Sequence, residues 1–327
     1  MRKLFPATLL LICANLQADD YWCLDKHVSI RGDYGYIRRQ EIRDLRLVED
    51  TSVMQELNGN LKAKKVMDTE DLVDQFGWES AIRGGLTYHS SECASLEALY
   101  TYFYPWEGTR TVKADGTLQI PFEEFSIFSD YVNADRAEGK YKSQLQNGEF
   151  NYWGHLTPQR VNYFSFSWNL GFRAMYLRED LDLLFTKGSN QSLYSIDTYD
   201  ILYGAQLGAV LEVNPTCHWT WSFMLKGAGF FNVARNEVCI RDENNEVTLR
   251  EYTKRKWTDS WLLEAYGEIA YHWNSWLRFQ FGYQGFILTG LVLAPEQRDV
   301  RATTSRRIKD KGQIVIDGMY AGLTLSF

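Results

Sequence analysis

A strict alternation of apolar and polar residues over residues 164–176 constrains the fold of this chain more than any other feature. The apolar positions are Phe164, Phe166, Trp168, Leu170, Phe172, Ala174 and Tyr176, and the positions between them up to residue 173 are Ser, Asn, Gly or Arg. Successive side chains of a β-strand point to opposite faces, so this segment predicts a strand with one apolar face and one polar face. At about 3.3 Å per residue and a tilt of about 40°, such a strand spans roughly 30 Å, the thickness of a bilayer's hydrocarbon core.

The same alternation recurs along the chain. It is clear at residues 201–211, 219–231, 261–271 and 277–283, and less complete at 28–36, 82–88, 96–104 and 141–153. In the segment 141–153 the apolar phase changes near Asn147 and Gly148, which predicts a β-bulge there. With the final segment 319–327 the count is ten. The sequence therefore predicts an all-β fold, a transmembrane antiparallel up-and-down β-barrel of ten strands, within a range of eight to fourteen.

The connections between these strands alternate in length. Short turns are predicted at one end, and long polar loops at about 38–80, 105–139, 178–199, 232–258 and 287–311 at the other. Short turns at the periplasmic rim and long loops outside the cell are typical of outer-membrane barrels. An even number of strands places both termini on the periplasmic side.

The N-terminus predicts export. Arg2 and Lys3 precede an apolar stretch from Leu4 to Leu16, and Ala18 ends a plausible cleavage site, as in a secretory signal peptide. We expect residues 1–18 to be removed and residues 19–327 to form a single barrel domain. A mean hydropathy of −0.36 excludes a multi-helix membrane protein, and a net charge of −7 argues against nucleic acid as a partner.

The chain ends Met-Tyr-Ala-Gly-Leu-Thr-Leu-Ser-Phe, with apolar residues at every second position counted back from Phe327. In this it resembles bacterial outer-membrane β-barrels. The stretches 203–208, 282–284 and 293–297 resemble a porin-like family with recurring Gly-aromatic strand motifs. The resemblance covers about residues 80–327, and it implies that Phe327 is a signal for the outer-membrane insertion machinery and that membrane lipid and lipopolysaccharide are partners. A homo-oligomer is also possible.

Charged residues at the polar positions are candidates for lining the lumen. They are Arg31, Arg83, Glu97, Arg173, Lys226, Glu264, Glu268 and Arg278. Facing acidic and basic walls could select solutes in a water-filled pore, or the same residues could pair and plug a narrow barrel. Many inward positions are Gly, Ser or Thr, which favours a pore for passive diffusion of small hydrophilic solutes. The alternative is a closed barrel that acts as a structural or surface-contact protein.

The remaining candidates are few. Trp153, Trp219, Trp273 and Trp276 flank short turns and predict an aromatic girdle. Cys23 and Cys93 fall at the same rim and could form a disulfide. The five histidines are expected to lie apart around that rim, and no hydrolase or phosphate-binding motif occurs. We therefore expect neither a metal site nor a cofactor, and no enzymatic activity.

Overall fold

The computed structural model describes residues 27–41, 43–57, 60–121, 131–156, 163–242, 244, 246–298 and 307–327. The predicted signal peptide and Cys23 lie outside these residues. The strands are β1 (Val28–Glu41), β2 (Arg46–Leu57), β3 (Asn60–Asp68), β4 (Trp78–Ser91), β5 (Ala94–Phe103), β6 (Trp106–Gln119), β7 (Val132–His155), β8 (Phe164–Lys187), β9 (Asn190–Thr216), β10 (Trp219–Asp242), β11 (Val247–His272), β12 (Leu277–Leu291) and β13 (Gly312–Ser326). A short helix α1 (Thr69–Val73) follows β3, and a 3₁₀ turn (Ala294–Gln297) follows β12. In the described part of the chain, no helix has the length and apolar character needed to span a membrane.

Ten of the strands close into an antiparallel ring. Its order is β7-β5-β4-β1-β13-β12-β11-β10-β9-β8, and β8 pairs back onto β7. Each ring strand matches one of the ten segments identified from alternation, with only Tyr104 and Phe327 falling just outside β5 and β13. The predicted fold class and strand number are therefore confirmed. The other three strands, β2, β3 and β6, lie in the sheet beyond the ring, where β6 pairs with the first half of β7.

The segments predicted to be long loops are largely strand. β7 to β11 run for 24 to 27 residues each, about twice the length needed to cross the hydrocarbon core. Only residues 188–189 separate β8 from β9, and residues 243–246 separate β10 from β11. Residues 38–80 contain β2, β3 and α1, and 105–139 contains β6. The barrel wall therefore continues well beyond the membrane as an ordered sheet.

The direction of the apolar face reverses part-way along the long strands β7 to β10. On β8, Phe166, Leu170 and Phe172 point outward near the short-turn end, whereas Leu177 and Leu181 point inward near the other end. The outward positions there carry charge instead, and the β7–β8 and β8–β9 pairings show no register shift. We call the two parts the membrane section and the extended section; they meet at Gln146 on β7, Tyr176 on β8, Ile201 on β9 and Val233 on β10.

This reversal corrects the predicted bulge at Asn147. From Ala137 onward the odd-numbered side chains of β7 point inward without interruption across Asn147: Asn147 and Asn151 in the membrane section, Tyr141 and Leu145 in the extended section. The apolar phase changes because the surroundings change from lipid outside to a dry core inside, and the backbone continues unbroken.

The extended section has the core of a water-soluble β-protein. Inward residues of β7 to β10 pack with residues from β2, β3, β6, α1 and the β12–β13 connection into one apolar cluster. Fully buried members include Leu47, Met67, Trp106, Tyr141 and Leu181. Alternation with apolar residues inside and polar residues outside is what a sheet in water requires.

Candidate functional site: the barrel interior

A first polar cluster fills one side of the lumen around Glu149 of β7. Its carboxylate accepts hydrogen bonds from Lys226 Nζ at 2.9 Å and Gln206 Nε2 at 2.9 Å. Arg173 Nη1 lies 2.5 Å from a carboxylate oxygen of Glu264, and its Nη2 lies 3.7 Å from Glu149. Because Arg173 is on β8 and Glu264 on β11, this ion pair joins strands that are not neighbours and so crosses the lumen.

A second polar cluster surrounds Glu268 of β11. Arg31 Nη2 donates to it at 2.9 Å and Tyr320 at 3.1 Å, and Arg278 forms a further ion pair with it. Arg31 also pairs with Asp33 at 2.7 Å, and Arg83 lies 3.8 Å from the same carboxylate. The Arg31 and Arg83 guanidinium groups lie 5.6 Å and 5.2 Å from the centre of the Tyr320 ring, within reach of a cation–π contact.

The eight residues proposed to line the lumen all lie on its inner face and divide between the two clusters. Arg31, Arg83, Glu268 and Arg278 belong to the second cluster, and Arg173, Lys226, Glu264 and Glu97 to the first, where Asn151 bridges Glu97 to Glu149. Sequence reasoning missed Glu149, the centre of the first cluster. The alternation Asn147, Glu149, Asn151 against Phe150 and Tyr152 carried the signal, but the presumed bulge concealed it.

Small inward residues make room for these side chains. A β-carbon at Gly208 would collide with Asn169 and Lys226, and one at Gly171 would collide with Asn151. At Gly282 a β-carbon would lie 2.5 Å from the Tyr320 hydroxyl. The volume that glycine leaves is therefore occupied by large neighbours.

The interior of the extended section is closed by apolar packing and by one buried ion pair. Arg39 of β1 and Glu179 of β8 are 2.6 Å apart, and both side chains are fully buried. The Arg39 guanidinium lies 5.5 Å from the Phe76 ring and 5.3 Å from the Tyr141 ring. Stacking between aromatic rings lets an arginine remain charged in a dry core when a carboxylate pairs with it.

Residues 292–297, which we call the strap, enter the barrel at this level and are buried. The Val292 N–H lies 3.2 Å from both carboxylate oxygens of Asp200, and the Ala294 N–H donates to Glu179 at 2.9 Å. Two buried carboxylates thus satisfy backbone donors that would otherwise be unpaired. The strap is the inward part of the segment 287–311 that was predicted to be an outer loop.

Three of the four proposed girdle tryptophans are exposed at the short-turn rim: Trp219, Trp273 and Trp276. Trp219 and Trp273 both contact Tyr271. Trp153 does not belong to this group, because it lies on the inward face of β7. Its indole N–H donates to Glu97 at 3.1 Å, and the Lys226 ammonium lies 5.9 Å from its ring. The position of Trp153 near a turn does not determine whether its side chain points inward or outward. That depends on which alternate residues of β7 face the lumen.

The other candidates at this rim remain separate. Among the described residues, Cys93, Cys217 and Cys239 form no disulfide with one another. Cys93 and Cys217 lie at this rim, whereas Cys239 lies in the extended section of β10. The proposed partner of Cys93, Cys23, lies outside the described residues. His89, His155 and His272 contact hydroxyl groups of neighbouring strands at 2.8 to 3.3 Å. Among the residues that the structure describes, no three His, Cys, Asp or Glu side chains are grouped to hold a metal ion.

A closed antiparallel ring with an outward apolar belt and a polar interior decides the fold. The chain has the fold of a bacterial outer-membrane β-barrel. No protein-family model matches this barrel, and no curated protein matches its sequence.

Solved structures similar to this barrel have diverse functions. The outer membrane protease OmpT from Escherichia coli is 10% identical, with a TM-score of 0.48 over 93% of this chain and 99% of that one. The translocator domain of the autotransporter NalP from Neisseria meningitidis is 7% identical, with a TM-score of 0.38 over 98% and 93%. The Ralstonia pickettii toluene transporter TbuX is 9% identical, with a TM-score of 0.34 over 93% and 90%. At these values none of them carries its activity over to this chain.

Proposed function

We propose that this protein is a closed outer-membrane barrel that anchors its extended section at the cell surface for contact with a partner, without conduction or catalysis. The observation that carries the proposal is the filled interior. Polar side chains cross the membrane section, and an apolar core with the strap closes the extended section. Side chains that fill a barrel in this way hold its wall rigid and, among the residues that the structure describes, take up the space that a wide aqueous path would need.

Passive diffusion of small hydrophilic solutes, which the small inward residues favoured, has less support. A pore requires inward side chains that contact water, but Arg173, Lys226 and Glu264 are each at most 5% exposed.

The orientation that this function requires places the extended section outside the cell and both termini in the periplasm. Phe327 is 59% exposed, and the last strand pairs with β1, where the Phe327 N–H donates to Val28 at 2.8 Å. An exposed side chain at the end of the strand that closes the ring fits the proposed role of Phe327 in recognition by the insertion machinery.

Conductance measurements test the proposal directly. The purified barrel, checked for folding by its heat-dependent migration on gels, should give no stable current steps in planar bilayers, and liposomes containing it should not swell in small sugars. A porin preparation serves as the positive control. Regular steps from the unmodified protein would refute the closed barrel and restore the diffusion pore.

The contact role has its own test. The β2–β3 hairpin projects past its short pairing with β6 at Glu49 and Asp50. Replacing residues 52–63 by a Gly-Ser turn keeps the buried Leu47, Val48 and Met67 in place. Cells that display this variant should adhere less to surfaces that bind cells with the intact protein. Equal adhesion would argue against a contact role for this part of the sheet.

A further inference from the structure

Three arginines lie in one row across the outer wall, just beyond the membrane section. Arg178 on β8 pairs with Tyr199 on β9, Tyr199 with Arg235 on β10, and Arg235 with Arg255 on β11. The Arg178 and Arg235 guanidinium groups lie 5.3 Å and 6.0 Å from the centre of the Tyr199 ring. We call these four residues the arginine row.

The height of the row matches a lipid headgroup. On β10 every outward residue between Trp219 and Arg235 is apolar or glycine: Trp221, Phe223, Leu225, Gly227, Gly229, Phe231 and Val233. At about 3.3 Å per residue and about 40° of tilt, Arg235 lies roughly 40 Å above Trp219 when the distance is measured along the barrel axis. A bilayer with its headgroups is about 40–45 Å thick. If Trp219 lies at one interface, the arginine row therefore lies at the opposite headgroup layer.

The guanidinium groups keep donors free for an anion. Arg178 is 44% exposed and bonds Asp180 through Nε at 3.0 Å, so no described contact with Asp180 occupies its two terminal nitrogens. Arg235 is 43% exposed and pairs with Glu237 through one terminal nitrogen. Both acids lie two positions further from the membrane. They contact the guanidinium groups from the side away from the membrane. A phosphate can accept N–H groups from the remaining terminal nitrogens, whereas the Nε of Arg235 is buried.

The surrounding charge is compatible with an anionic ligand. Arg255 is exposed above Trp257, and the described residues give it no ion-pair partner. The carboxyl of Asp197 lies above Tyr199 between Asp180 and Glu237. Burial and a hydrogen bond with Asp180 raise its pKa to about 7, so this acid is partly neutral near neutral pH. Three permanent positive charges then face two carboxylates in the patch.

We propose that the arginine row binds the phosphate groups of an outer-leaflet glycolipid of the lipid A type. The site holds the phosphate by Arg178, Arg235 and Arg255. The acyl chains lie against the wall below, which is apolar on β10 and carries one exposed carboxylate on β11, Asp259, beside Phe231. Trp257 and Phe231, which are 74% and 71% exposed, lie under the row and suit the boundary between headgroup and acyl chain.

The inference shares only its orientation with the proposed function. A barrel that binds lipid A and also conducts would support the proposed lipid site and refute the closed barrel. A barrel that neither conducts nor binds lipid A would support the closed barrel and refute the lipid site. The two tests therefore fail independently.

The experiment measures binding to the purified full-length barrel in detergent by native mass spectrometry. The probes are diphosphoryl lipid A, lipid A stripped of both phosphates, and inorganic phosphate. We expect diphosphoryl lipid A to bind at least about tenfold more tightly than the stripped lipid. Each basic residue near an anionic lipid surface contributes a factor of roughly five, so the R178Q/R235Q/R255Q variant should bind about 100-fold more weakly.

The matched control is R110Q/R136Q/R241Q, which removes three exposed arginines from the extended section outside the row. Arg136 pairs with Glu138 two residues away, as Arg178 does with Asp180. The control should bind lipid A as the unmodified barrel does. If the glutamine variant of the row fails to fold, R178K/R235K/R255K replaces it and keeps the three positive charges. This variant should still prefer diphosphoryl lipid A over the stripped lipid. Its affinity for lipid A should fall by up to about tenfold, because lysine cannot make the paired contact with phosphate.

Three results would overturn the assignment. The first is unchanged binding after R178Q/R235Q/R255Q. The second is equal affinity for stripped and diphosphoryl lipid A, which would mean that acyl chains alone are recognised. The third is inorganic phosphate that binds as tightly as lipid A, which would indicate a site for a small free anion.

Discussion

Leu181→Ala tests the reversal of the apolar face most sharply. Leu181 is fully buried in the extended section, whereas Leu170, on the same strand, is 55% exposed on the outer face of the membrane section. If the extended section has a dry core, truncating Leu181 removes buried contacts and leaves a cavity. Truncating Leu170 only exchanges one lipid contact for another.

The expected magnitudes differ several-fold. Leu→Ala in a well-packed core costs about 3–4 kcal/mol of unfolding free energy. A lipid-facing leucine contributes about 0.5 kcal/mol on the insertion scale. Leu181→Ala should therefore raise the unfolding equilibrium constant by a factor of roughly 200 or more, and Leu170→Ala by about two to threefold.

The assay is urea unfolding of the barrel folded in lipid vesicles, followed by tryptophan fluorescence. Hydrogen exchange of residues 177–187 accompanies it, because the extended section could open without unfolding the membrane section. In that case the Leu181 loss appears as faster exchange in these residues. Equal costs for the two substitutions, or a larger cost at Leu170, would refute the dry core and with it the reversal.

Three further predictions follow from the charged groups. Asp197→Asn should leave the melting temperature unchanged near pH 4 and raise it at pH 8. The folded state raises the pKa of Asp197 to about 7 and so holds this proton more tightly than the unfolded chain does. The wild-type protein therefore loses stability as the pH rises from about 4 to 7, and the asparagine variant does not. Arg173→Ala should cost about 3–5 kcal/mol in urea unfolding, since it leaves Glu264 buried without its cation, and a cost below 1 kcal/mol would contradict the lumen packing. Glu179→Ala should make the strap accessible to added protease at concentrations that leave the wild type intact, because the Ala294 N–H loses its acceptor.

The number of strands could be predicted because period-two alternation survives in every membrane-spanning segment. The extended section could not be predicted from the sequence for a physical reason. Its strands also alternate, but the apolar residues lie on the opposite face. On β8 the apolar residues therefore change from even to odd positions after Tyr176, at Leu177 and Leu181, and the regular alternation ends there. The segments 178–199 and 232–258 were therefore assigned to loops although they complete β8 to β11.

The contacts between side chains across the lumen could not be predicted from the sequence. Alternation placed Arg173, Lys226 and Glu268 on the inner face, but it carries no information on which strands lie opposite one another. That Arg173 on β8 reaches Glu264 on β11 follows from the curvature of the closed ring. That Gly208 makes room for Lys226 follows from the register between β9 and β10. The choice between an open and a filled lumen therefore required coordinates.

The unbroken pairing of β7 to β10 across the boundary has a mechanical consequence. A tether would let an outer domain swing freely, but here the strands embedded in lipid are the same strands that form the outer turns. A pull on the turn at residues 188–189 loads long ladders of backbone hydrogen bonds along their length, so many bonds share the force. The extended section is therefore fixed in direction relative to the bilayer normal. In the orientation proposed above, traction at the cell surface would be transmitted to the embedded wall without a hinge.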